Sequence, residues 1–204
     1  MTSNKRGYVN RLNFVKDCLD RDILIAHGQK DIRLSHKLGF VDIFMRPHQF
    51  GLYPHLLRDA ALLIAETMDF YHLDEFIISG VPTSASALAV ATALQTNKQL
   101  LELRVSEKDH GAYNKIDSSP WTVQGNIPNQ QILVIEDAIV SGKNCTEFCK
   151  SLRQRDFYVS NIICFVDARK YSHQDSFIPT DISVYSVFST DELRNLVRQV
   201  KSTC

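Results

Sequence analysis

Ile132, Leu133, Val134 and Ile135 are four successive apolar residues, and they run directly into two acids, Glu136 and Asp137. A β-strand points alternate side chains to opposite faces. A strand that is apolar at every position is therefore buried on both faces, the environment of a parallel sheet covered by helices. Parallel strands also need long crossover connections, usually helical. This one run thus asks for strands and helices in alternation, and the chain supplies them. Tyr53-Pro54 opens a helical pattern through LLRDAALLIAETM. Residues 75–79 (EFIIS) read as a strand, GVPTSASA as a loop of small residues, LAVATALQ as a helix and residues 99–104 as a strand. After the strand 131–135, Cys145, Phe148, Cys149 and Leu152 fall at i, i+3, i+4 and i+7, one face of a helix that begins near Asn144. Residues 159–167 and 182–188 read as strands, and Ser189 with Glu192 forms a capping box for a last helix to about Lys201. The fold class expected is α/β, a mostly parallel twisted sheet flanked by helices.

Two regions leave this rhythm. Residues 8–26 read as one amphipathic helix or two short ones, and residues 31–46 as two short strands. Residues 105–130 are polar, contain Gly111, Pro120, Gly125 and Pro128, and have no period. A loop of this length in a compact domain is commonly a lid or a binding loop. Basic and acidic residues balance at 23 each. That balance gives no support to a general nucleic-acid or membrane-surface binder, and neither is expected as a partner. No apolar run approaches the roughly 18 residues of a membrane span. The start, MTSNKRGYVNRL, lacks the apolar core of a secretory signal. The five cysteines include no CxxC pair and no clustered His, so free thiols in a reducing, cytoplasmic setting are expected.

The chemistry is concentrated at residues 136–144. DAIVSGKN fails the P-loop pattern twice, with Asp137 where the first Gly belongs and Asn144 where Ser or Thr belongs. The segment still suits an anion. A strand ends, a turn containing Ser141 and Gly142 exposes backbone N–H groups, and a helix opens with the positive end of its dipole. The carboxylates would repel a phosphate in contact with them. They face either hydroxyl groups, which donate to carboxylates, or a metal ion; otherwise they are solvated or cap a neighbouring helix. Phosphate at one end and a diol at the other describe a ribose 5-phosphate.

VIEDAIVSGKN resembles the phosphoribosyl-diphosphate (PRPP) signature of the type I phosphoribosyltransferases. RVSEKDHG, at residues 104–111, resembles the lid motif of the orotate phosphoribosyltransferases, and SGVPTSASALA, at 79–89, resembles their diphosphate-binding loop. The three occur in the family's order over residues 50–190. The resemblance implies a type I phosphoribosyltransferase fold with a small N-terminal hood at residues 1–50. It implies a PRPP-binding core at 51–204 carrying a flexible lid at about 105–130. It implies transfer of the 5-phosphoribosyl group of PRPP to a pyrimidine base: orotate and PRPP give orotidine 5′-phosphate and diphosphate. Asp137, Lys108 and His110 would be the catalytic groups. Glu136 and Asp137 would hold the ribose hydroxyls, and Ala138, Ile139, Val140, Ser141, Gly142, Lys143 and Asn144 would cradle the 5-phosphate. Arg104, Lys108 and His110 would neutralise the diphosphate, with Gly80, Val81, Pro82, Thr83 and Ser84 contacting it through the backbone. Mg²⁺ would arrive with PRPP and meet Glu136 and Asp137 indirectly. A homodimer with each lid serving the partner's site is also implied.

The chain departs from that pattern at named positions. Val105 stands where the family has a first lid lysine, and Val140 where the turn usually has Thr. Ala168 stands where the family has the Arg that contacts the orotate carboxylate; Arg169 follows one place later, and Arg46 is an N-terminal candidate for the same task. A phosphoribosyltransferase for another base, and a non-catalytic PRPP-binding regulator on the same fold, are the alternative readings.

Overall fold

A computed structural model describes residues 8–26, 32–35, 39–74, 76–102, 131–171 and 177–203 of the chain. Its centre is a four-stranded parallel sheet in the order β5-β6-β7-β8, formed by Ile77–Gly80 (β5), Gln131–Ile139 (β6), Tyr158–Asp167 (β7) and Ser183–Ser189 (β8). Residues 132–135 of β6 and 162–165 of β7 are fully buried. Because their side chains alternate between faces, both faces of the sheet are covered at these strands. The covering helices include Pro54–Phe70 (α2), Ser86–Thr96 (α3), Lys143–Arg153 (α4) and Thr190–Ser202 (α5), each in contact with at least one sheet strand. Pro54 sits at the first position of α2, where its missing N–H costs nothing.

The sequence expectations change at several boundaries. Of the one helix or two short ones expected over 8–26 there is one, and it ends early: α1 is Arg11–Asp20, and the chain turns at Asp22, whose φ of 55° is left-handed, into strand β1, Leu24–Ala26. Between residues 31 and 46 the described residues form three short strands where two were expected: Ile32–Ser35 (β2), Gly39–Val41 (β3) and Ile43–Met45 (β4). β4 pairs with β1 and β3 with β2, both antiparallel. The strand expected at 99–104 is, in its described part, one parallel bridge from Leu100 to Ile78 on the side of β5 away from β6. β6 does not stop at Ile135; its ladder with β7 continues through Ala138–Val166 to Ile139–Asp167. Ser189 does accept the Glu192 N–H at 3.1 Å, but the Glu192 carboxylate takes the Arg11 guanidinium at 2.8 Å. The proposed lid, 105–130, lies outside the described residues.

The N-terminal segment shares the core of the sheet. Phe14 of α1 and Phe50 of a 3₁₀ helix, Pro47–Leu52, pack with Phe165 of β7 and Phe188 of β8 at centroid separations of 5.0 to 6.2 Å. Arg194 of α5 holds Asp42 through two contacts of 2.5 and 2.9 Å, tying the last helix to the turn between β3 and β4.

Candidate functional site

β5 ends at Gly80, opposite Ile135, one residue before the acids on β6. The longer strand therefore carries Glu136 and Asp137 past the end of its neighbour. The chain leaving β5 folds over this step. Val81 N–H donates to Ile135 O at 2.9 Å, and Ser84 Oγ donates to Glu136 Oε1 at 3.4 Å. Gly80 permits the approach of α3: a Cβ there would lie 2.7 Å from Ala89 Cβ and 2.8 Å from Ala85 O. The Pro82–Thr83 peptide is cis.

The two acids differ in environment. Glu136 is buried, and its Oε1 also accepts the Asp137 N–H at 3.1 Å. Burial, and then the adjoining Asp137 carboxylate, push its pKa up to about 9. Removing a carboxylate from water favours its neutral form, so Glu136 keeps a proton at neutral pH. Asp137 turns outward. Its Oδ1 accepts the Ala138 N–H at 2.8 Å, and its Oδ2 lies 3.8 Å from His48 Nδ1.

The turn after β6 is shorter than the sequence suggests, because Ala138 and Ile139 belong to the strand. Ser141 and Gly142 turn the chain, with Gly142 at φ 79°, and α4 opens at Lys143. A Cβ at Gly142 would meet Ile178 Cγ1 at 2.5 Å, so both backbone and packing require glycine. The first bond internal to α4 runs from Thr146 N–H to Gly142 O. The N–H groups of Lys143, Asn144 and Cys145 precede it and point out of the helix start; that of Lys143 reaches Ser141 Oγ at 3.4 Å. Phe177 braces the turn, donating its N–H to Ser141 O at 3.1 Å and accepting from Thr146 Oγ1 at 3.0 Å.

These segments enclose a cavity of about 200 Å³, lined by Val81, Pro82 and Ser84 on one side and residues 136–145 on the other. The loop at 80–84 and the turn at 138–144, read separately in sequence, thus meet over one space. Cys145 lines it too, but its hydrogen bond with Cys149 and its burial hold the thiol protonated, unsuited to act as a nucleophile. Among the described residues no group of three or more His, Cys, Asp or Glu is placed to hold a metal ion. Two adjacent carboxyls, one protonated, suit a divalent ion that arrives on a phosphorylated ligand better than one caged by the protein.

Arg104, Lys108 and His110 lie outside the described residues. Neither Arg169 nor Arg46 lines the cavity. The chain bends into a 3₁₀ turn at Arg169–Tyr171, and the Arg169 guanidinium folds back onto Asp167 at 2.7 and 3.0 Å. Ala168, itself buried, donates its N–H to Ile139 O at 2.8 Å. Arg46 donates to the Asp22 carbonyl. Two features escaped the sequence reading: His48, beside Asp137, and the Phe177–Ile178 brace behind the turn. A lone histidine before a helix and a distant apolar pair carry no pattern that marks them.

No protein-family model matches the chain. In sequence it is similar to the orotate phosphoribosyltransferase of Methanocorpusculum labreanum, 28% identical over 142 residues that make up 70% of this chain and 76% of that protein. It is also similar to that of Malacoplasma penetrans, 26% identical over 148 residues, 72% of this chain and 68% of the relative. In structure it is similar to orotate phosphoribosyltransferase from Aeropyrum pernix, with a TM-score of 0.66 and 16% identity over 91% of this chain and 98% of the other.

Proposed function

We propose that this chain, a relative of the orotate phosphoribosyltransferases with the type I phosphoribosyltransferase fold, transfers the 5-phosphoribosyl group of PRPP to orotate. The observation that carries the reading is the single cavity into which the acid pair, the glycine turn and the 80–84 loop all open. The helix start and turn offer N–H donors to the 5-phosphate. Asp137 faces the sugar hydroxyls. The 80–84 loop receives the diphosphate, where Arg104, Lys108 and His110 complete the charge balance. Displacement of diphosphate from C1 puts positive charge on the sugar, and preorganised carboxylate charge next to it lowers that barrier. Mg²⁺ arriving with PRPP, met indirectly by Glu136 and Asp137, would supply further charge neutralisation to the leaving group. Closure of residues 105–130 over the sugar would keep out water, which would otherwise intercept the cationic centre. Residues 1–50 would form the small N-terminal hood of the fold. A cytoplasmic homodimer with lids exchanged completes the proposal.

The pairing of Arg169 with Asp167 favours a second reading, a phosphoribosyltransferase whose base carries no carboxylate. A buried carboxylate needs a cation or several donors, and Ala168 provides neither. Incubation with PRPP and Mg²⁺ against a panel of bases, following diphosphate release, separates the two. Turnover with orotate supports the first reading, and turnover with only another base supports the second. No base-dependent release at all would remove the transferase assignment.

A further inference from the structure

His48 belongs to none of the motifs above and does not itself line the cavity, but it stands beside Asp137, which does. The 3₁₀ helix that carries it has a period of three, and its Pro47 and Phe50 are buried. His48 stands on another side of that helix, half exposed. The helix packs on β6 and α3, which brings the imidazole to the Asp137 carboxylate. The separation from Nδ1 to Oδ2 is 3.8 Å. That is too long for a direct hydrogen bond, yet one oxygen can sit beside both atoms at about 2.8 Å from each. The other Asp137 oxygen is already held by Ala138 N–H.

The group that fits such a gap must donate to a carboxylate and accept from an imidazole N–H. A phosphate oxygen would be repelled by Oδ2, and a carbonyl has no proton to give. A hydroxyl does both, as does a water molecule, whose place a ligand hydroxyl would take. We infer that His48 and Asp137 together clamp one ribose hydroxyl, with the Nδ1–H tautomer of His48 as donor, and that His48 sets the preference for ribose over deoxyribose. The inference rests on the phosphoribosyl reading above and adds to it a residue from the N-terminal segment.

The test is calorimetric titration of the full chain with ribose 5-phosphate and its 2-deoxy and 3-deoxy counterparts, using wild type, His48→Ala and His48→Asn. Wild type is expected to bind ribose 5-phosphate about tenfold tighter than one of the two deoxy sugars, the worth of a good hydrogen bond. His48→Ala should lose most of that discrimination by weakening the ribose sugar alone. His48→Asn, whose amide N–H can stand in for Nδ1–H, should keep it. If His48→Ala discriminates as wild type does, the clamp is overturned while the phosphoribosyl reading stands. If wild type binds none of the three sugars, the reading fails and the clamp with it.

Discussion

Glu136 and Asp137 are adjacent on one strand, and the alternation of a strand sends Glu136 into the protein and leaves Asp137 partly exposed at the cavity. The inner acid keeps its proton. Between its ordinary value of 4.5 and its raised value of about 9, the folded protein holds a proton on Glu136 that the unfolded chain has released. By linkage, the stability due to that proton is fully present below about pH 4.5, falls as pH rises, and levels off above about pH 9. Glu136→Gln, neutral at every pH and of the same shape, should escape this decline. Measured by urea unfolding, its stability relative to wild type should grow by more than about 1 kcal/mol between about pH 5 and about pH 8. A difference that does not vary with pH would show that Glu136 is ionised in the folded protein.

At the level of elements, the site depends on strands of unequal length and on one tight turn. Gly142→Ala places a side chain on a left-handed residue and drives it into Ile178. The expected cost is about 1–3 kcal/mol, read as a lower urea midpoint, together with weaker binding of inorganic phosphate. Unchanged midpoint and phosphate affinity would mean that the turn tolerates a different path. The glycine, the apolar run 132–135 and the helix behind it were legible because each follows from local chemistry: full burial, a sharp turn, a period of 3.6. The extension of β6 through Ile139 was not, since two acids in sequence look like the end of a strand; the pairing with β7 holds them in it. The strands of the N-terminal segment, three or four residues each, are too short to show a period of two. His48 is placed by the packing of Phe50 beneath it, a contact between segments that no local pattern records.

Across the whole molecule, chain segments far apart converge on one cavity. The aromatic cluster of Phe14, Phe50, Phe165 and Phe188 seats the N-terminal segment on the sheet, so the 3₁₀ helix and the end of β6 are held in register. β5, β6 and the crossover through α3 bring Ser84 to Glu136, although 52 residues separate them. The proposed site takes a phosphorylated sugar diphosphate, with phosphate at the turn and hydroxyls at Asp137. The most direct measurement is a pair of titrations on wild type and Asp137→Asn, one with PRPP and Mg²⁺ and one with inorganic phosphate. Loss of a charged hydrogen-bond acceptor is worth about 1.5–3 kcal/mol, so PRPP affinity should fall at least about tenfold while phosphate affinity holds. Equal PRPP affinity in the two proteins would mean that Asp137 does not hold the sugar.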